Sequence, residues 1–121
     1  MNTRELGTRA EAAAQAHLQR HGLVLLENNY RCRWGEIDLI MRHADAIVFV
    51  EVRYRSHARF GGALASIDKL KQKKLVRTAR HYLQHSASPD AAARIDVVSC
   101  APGDGGRLEI SWLANAIEVS E

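Results

Sequence analysis

The sequence predicts an α/β domain, a mixed β-sheet of about five strands flanked by helices in the order α-β-β-β-α-β-β. Three observations predict it. Apolar residues recur at helical spacing in two long segments. Short runs rich in Val, Ile and Phe, bounded by turn residues, lie between and after those segments. The chain has 121 residues, 46% hydrophobic and 26% charged, which suits one domain over 1–121 and excludes a disordered chain.

Residues 3–21 read as the first helix. Thr3 is the expected N-cap, and Glu5 places negative charge near the positive end of the helix dipole. Leu6, Ala10, Ala13, Ala14, His17 and Leu18 recur on one side, and Gly22 is a natural stop. The first strand is expected from Leu23 to Tyr30, the second from Glu36 to Arg42, and the third from Ala46 to Tyr54. Arg33-Trp34-Gly35 turns between the first two, and His43-Ala44-Asp45 joins the second and third as a hairpin. Residues 56–65, with Ser56, Gly61 and Gly62, read as a loop. The second helix is expected from Ser66 to His85, with Ile67, Leu75, Ala79, Tyr82 and Leu83 on its apolar side. Pro89 lies in the break that follows. Strands are expected at Ile95–Cys100 and Leu108–Leu113, around a turn at Pro102-Gly103-Asp104-Gly105-Gly106.

No apolar run approaches the roughly 18 residues of a membrane span. Met1 to Glu11 is polar and does not resemble a signal peptide. The expectation is a cytoplasmic protein with no membrane association. Cys32 and Cys100 lack metal or disulfide-framework spacing and read as reduced thiols. A net charge of +3 does not establish nucleic-acid binding. Its distribution says more: Arg53, Arg55 and Arg59 cluster with His57, and Lys69, Lys71, Lys73, Lys74, Arg77 and Arg80 crowd the second helix. Such a local field can attract phosphates, and it can also be a solvated helix face.

The hairpin carries the chemistry. A turn centred between Ala44 and Asp45 sets Ile37 opposite Val52, Leu39 opposite Val50 and Met41 opposite Val48, one wholly apolar face that disfavours a one-residue slip. On the other face Ile40 meets Phe49, Asp38 meets Glu51 and Glu36 meets Arg53. Two carboxylates across a strand pair lie about 5 Å apart at Cβ and repel. A divalent cation, Mg²⁺ or Mn²⁺, would neutralise them. A nearby Arg or a raised pKa would do so too.

Gly35-Glu36-Ile37-Asp38-Leu39-Ile40, Phe49-Val50-Glu51-Val52-Arg53-Tyr54-Arg55 and Arg94-Ile95-Asp96-Val97-Val98 together resemble the YraN-like family of uncharacterised bacterial proteins. The resemblance extends to Gly7 and Glu11 in the first helix and to Lys71-Gln72-Lys73-Lys74-Leu75 in the second. That family is similar to the PD-(D/E)XK nucleases and, within them, to archaeal Holliday-junction resolvases. The resemblance implies a restriction-endonuclease-like core, with Asp38 and Glu51 as acidic metal ligands and Glu11 as the helix glutamate beside them. A resolvase-like reading implies a homodimer, since two symmetric strands need two sites. One position departs from the pattern: E-x-K stands here as Glu51-Val52-Arg53. Arginine cannot act as a base, but it can hold a phosphate oxygen and stabilise transition-state charge. The alternative for Arg53 is a structural ion pair with Glu36.

Lys71 stands between Ile67 and Leu75 at four-residue spacing, so it can supply an ammonium to the site or extend into solvent. Glu11 can equally edge the core, Asp96 reads as a buried hydrogen-bonding group, and His81 with His85 as a surface pair. Trp34 can stack a base or cover its turn. Two functions follow: a Mg²⁺- or Mn²⁺-dependent nuclease acting on DNA, including branched or damaged DNA, or a catalytically weak or inactive nucleic-acid-binding or partner-binding module on the same fold. Arg55, Arg59, Lys71, Lys73 and Lys74 are the expected nucleic-acid contacts in both.

Overall fold

The computed structural model describes residues 2–55 and 62–119. Helix α1 spans Thr3–Arg20 and buries Ala10, Ala14 and Leu18, the stripe the spacing predicts. Its cap is Asn2, not Thr3. Asn2 Oδ1 accepts from the Glu5 amide at 2.8 Å, and Thr3 is already the first helical residue.

Five strands follow: β1 (Val24–Cys32), β2 (Gly35–His43), β3 (Ala46–Tyr54), β4 (Ala93–Pro102) and β5 (Leu108–Ile117). The sheet order is β1-β2-β3-β4-β5, with β3 and β4 parallel and all other neighbours antiparallel. This is the mixed sheet and the element order that the sequence predicts. The crossover carries a one-turn helix α2 (Gly62–Ala65) and then α3 (Lys69–Gln84). Part of the expected 56–65 loop is therefore helical, and 56–61 lie outside the described residues. Helix α3 begins at Lys69, later than Ser66, because the Asp68 carboxylate accepts from the Lys71 amide at 2.8 Å and caps it there.

The sheet separates two apolar clusters. On one face α1 packs on Leu39, Met41, Val48, Val50, Val98 and Cys100. On the other α3 brings Leu75, Ala79 and Leu83 onto Ile40, Phe49, Ile95 and Val97. Central strands covered on both faces need near-continuous apolar sequence, which Val48-Phe49-Val50 and Val97-Val98 supply.

The hairpin register is the predicted one. Paired positions run from His43–Ala46 through Met41–Val48 to Leu39–Val50. The paired ladder then stops. Ile37, expected beside Leu39 and Met41, packs instead in the α3-side cluster with Ile40 and Phe49. Glu36, expected opposite Arg53, pairs across β1 with Arg31, Nε to Oε2 2.9 Å.

Gly35 fixes where the β1–β2 turn sits. It has φ +149°, and a Cβ there would meet Thr78 Oγ1 of α3 at 3.3 Å. The turn bearing Arg33 and Trp34 is thereby held against the middle of α3.

Candidate functional site

Backbone accounting shows what happens where the ladder opens. The Ile47 and Arg55 amides of β3 donate towards the β4 side, to Ala92 and Cys100 carbonyls. By strand alternation the even-numbered amides face β2. The Val52 amide is one of these, and it donates to Asp38 Oδ2 at 2.8 Å. A carboxylate thus replaces the backbone acceptor, and the aspartate is held at the parting of the two central strands.

Glu51 stands beside it, with 4% of its surface exposed. Burial first, and then the Asp38 charge, push Glu51 up from 4.5 to about 7. Asp38 is also raised, by burial, against the lowering effect of the Val52 amide. Both carboxyls therefore hold a proton more readily than ordinary carboxylates do, Glu51 up to near neutrality.

Two cations face the pair without closing on it. Lys71 Nζ lies 3.6 Å from Glu51 Oε2, and Arg53 Nη1 lies 3.7 Å from the same oxygen. Charge-assisted hydrogen bonds are about 2.7–2.9 Å long, so both are loose contacts. Arg53 is steadied from its other end, where Nη2 donates to the Ser66 carbonyl at 3.2 Å. Both side chains keep about a third of their surface exposed, at 35% and 37%. A buried carboxyl pair thus opens towards solvent through two cationic groups.

Of the expected site residues, the structure brings Asp38, Glu51, Arg53 and Lys71 together. Lys71 earns its place through the α3 cap at Asp68, which sets the phase of the helix. Glu11, half-buried on α1, is raised by burial and then by the Asp38 and Glu36 charges, so it borders the pair electrostatically. It does not complete a cage: among the described residues no three of His, Cys, Asp and Glu converge as metal ligands. Lys73 and Lys74 are exposed on α3, whereas Arg55 is half-buried at the end of β3. Arg59 lies outside the described residues.

The donor set fits a hard divalent cation. Two carboxylates supply oxygens, and Mg²⁺ commonly takes one or two carboxylates together with substrate phosphate and water. In this structure a raised pKa and two nearby cations relieve the repulsion, as the alternative reading of the sequence allowed.

Asp96 is structural, as its apolar strand suggests. Fully buried, it accepts from Arg94 Nε at 2.9 Å, Trp112 Nε1 at 2.9 Å and the Asn115 amide at 2.8 Å. His81 and His85 stack with centroids 4.4 Å apart, and the His81 ring is bonded to the Tyr30 hydroxyl at 2.6 Å. Sequence reasoning did not single out the Ser66 carbonyl or the Val52 amide, because neither backbone group carries a residue-type signal.

Comparison with known proteins places the chain. The model of the uncharacterised protein family UPF0102 matches residues 10–100. The chain belongs to this family. A UPF0102 protein of Nitrosomonas europaea is 55% identical over 115 residues, 94% of each chain. One from Methylococcus capsulatus is 50% identical over 114 residues, covering 93% of this chain and 90% of its own. This is the YraN-like family that the hairpin motifs resemble. Among solved structures, Pyrococcus furiosus SfsA in complex with Ca²⁺ aligns with a TM-score of 0.46 at 16% identity. The alignment covers 97% of this chain and 65% of that one. Among the described residues no helix is long and apolar enough to cross a membrane.

Proposed function

We propose that this UPF0102 protein is a divalent-metal-dependent nuclease acting on DNA phosphodiester bonds, with branched or damaged DNA as the expected substrates. One observation carries the reading: a buried carboxyl pair at the parting of two central strands, faced by two loosely held cations. A structural ion pair would close its contacts, as Arg94 and Asp96 do at 2.9 Å. Asp38 and Glu51 would hold Mg²⁺ or Mn²⁺, with Glu11 adding negative charge from α1. When bound, the ion lowers the pKa of a water and offsets charge on the leaving oxygen.

The chain's own groups supply the rest. Asp38 is oriented by the Val52 amide before any ligand arrives, so little is spent on ordering it. Glu51 releases its proton near neutrality and becomes a second anionic donor. Arg53 stays charged and can bind a non-bridging phosphate oxygen. Lys71 brings a primary ammonium to the position that Arg53 leaves without one, a compact point charge beside Glu51. That supports retained catalysis despite the missing E-x-K lysine.

The second reading, a nucleic-acid- or partner-binding module with little or no catalysis, is favoured by Arg53 itself. Mn²⁺-dependent cleavage of linear, flapped, single-stranded and four-way DNA, with Asp38→Asn as control, decides between them. Cleavage by wild type and not by Asp38→Asn is expected. Tight DNA binding without cleavage of any member of the panel selects the second reading.

A further inference from the structure

The held turn at Gly35 creates a second feature, apart from the carboxyl pair. A shallow cleft of about 550 Å³ runs between the β1–β2 turn and the C-terminal half of α3. It is lined by Arg33, Trp34, Arg77, Arg80, His81, Gln84 and His85. None of these residues is acidic. The Arg33 and Arg77 guanidinium carbons lie 4.6 Å and 5.1 Å from the Trp34 ring centroid, so two cations sit against one indole.

We infer that this cleft is a nucleic-acid subsite that grips the phosphodiester backbone away from the scissile position. The proposal rests on the nuclease reading for its connection to the carboxyl pair and deepens it. Arginine is suited to the task because its planar fork meets phosphate oxygens two at a time. Trp34 adds a flat apolar surface against which a base or sugar can rest. Full solvation would serve a merely soluble helix face equally well with lysines and with no aromatic residue, and it would not need a turn anchored by a glycine.

Spacing along α3 ties the cleft to the carboxyl pair. From Lys71 to Arg77 and on to Gln84 the helix rises about 9 to 20 Å at 1.5 Å per residue. Phosphates on one strand of a duplex recur about every 3.4 Å along the axis, so the cleft meets the backbone about three to six phosphates from Lys71. The substrate class is accordingly a polynucleotide several residues long, and mononucleotides or dinucleotides would miss the second grip.

The test measures binding of the full chain, without divalent metal, to a fluorescein-labelled 20-base-pair DNA duplex over a salt series. Combined Arg77→Gln and Arg80→Gln substitution should weaken binding about tenfold and flatten the slope of log affinity against log salt by about two. Arg20→Gln with Arg107→Gln makes the same change of charge on the α1 side, where both residues are exposed, and should leave binding within about twofold. Tryptophan fluorescence gives an independent readout. Duplex should quench wild type and not Trp34→Phe, since Trp112 is bonded to Asp96 on the other face. Equal losses in the two double variants, or quenching that survives in Trp34→Phe, overturns the subsite. DNA cleavage that is unaffected by the Arg77 and Arg80 substitutions overturns the subsite and leaves the nuclease reading standing. Binding that depends on the cleft, without cleavage, does the reverse.

Discussion

Replacing Glu51 by Gln should stabilise the metal-free protein, by an amount that grows between about pH 4.5 and 7 and stays constant above. Glu51 is buried against Asp38, and its carboxyl is pushed up to about 7 from 4.5. Because the folded value lies above the unfolded one, the folded state binds the proton more tightly. Stability on this account is greatest below about pH 4.5, falls as pH rises towards 7, and levels off above it. Each tenfold change in acidity corresponds to about 1.4 kcal/mol, so the full penalty is about 3 kcal/mol. For a chain of this size that is about 10 °C in Tm. Gln copies the protonated carboxyl: its amide can donate to Asp38, and it cannot ionise.

Thermal unfolding in EDTA from pH 4 to 8.5 reads this out. Wild type and Glu51→Gln should unfold at similar temperatures at pH 4, separate as pH rises through 5.5, and differ by about 10 °C at pH 8.5, with the variant higher. Glu11 and His17 are shifted too, the first up and the second down by burial, so the difference between the two proteins, and not the wild-type slope alone, isolates Glu51. Asp38→Asn removes the charge that raises Glu51 and should shrink the same divergence. A variant less stable than wild type at pH 8.5 would refute the reasoning, because Lys71 and Arg53 would then be holding an ionised Glu51 at a net gain.

Mg²⁺ or Mn²⁺ at millimolar concentration should raise Tm more at pH 8.5 than at pH 5.5, since at the lower pH binding must displace the Glu51 proton. Asp38→Asn should abolish that rise, and calorimetry with no heat of binding at either pH would count against a metal site. Lys71→Met should slow single-turnover DNA cleavage by about a hundredfold, the scale for loss of one charge-stabilising donor, while the metal-induced rise in Tm persists. Arg53→Lys should keep activity and Arg53→Ala should lower it; equal rates for wild type and Arg53→Ala would remove Arg53 from the mechanism. Asp96→Asn should cost about 3–5 kcal/mol in urea unfolding, because it leaves the Arg94 guanidinium without its buried partner.

The register of the hairpin was legible because period-two alternation over Leu39, Met41, Val48 and Val50 allows only one buried pairing. The same rule mispredicted Ile37 and the Glu36–Arg53 pair. It assumes that two strands stay paired to their ends, and here the pairing stops at Leu39 and Val50. What ends it is a side chain that accepts a backbone hydrogen bond, and alternation contains no term for that. Lys71 was legible only as a phase, four residues from Ile67 and from Leu75. Its distance from Glu51 depends on where α3 begins, and Asp68 decides that. The cleft at Trp34 was less legible still. Arg77 and Arg80 read as helix charge and Trp34 as turn cover until Gly35 brings the turn against Thr78.

Asp38 and Asp96 make the functional argument by their contrast. Each is a strand aspartate whose carboxylate takes a backbone amide where regular pairing is interrupted: Val52 for Asp38, and Asn115 for Asp96, next to the register shift between β4 and β5. The structural demand is the same, and a buried carboxylate must be compensated. Asp96 receives full compensation, from an arginine at hydrogen-bonding distance and an indole N–H. Asp38 receives a second carboxyl. A fold that needed Asp38 only to hold the Val52 amide would gain from an uncharged donor in Glu51's place. Glu51 instead adds negative charge to a buried site and keeps its cations 3.6 Å and 3.7 Å away. The pair is destabilising by itself above neutral pH, and a divalent cation turns that cost into binding energy. Glu51→Gln should therefore fold and gain stability in EDTA, while losing both the metal-induced rise in Tm and DNA cleavage. A Glu51→Gln protein that keeps the full metal-induced rise in Tm would show that the acidic pair serves the fold and not a ligand.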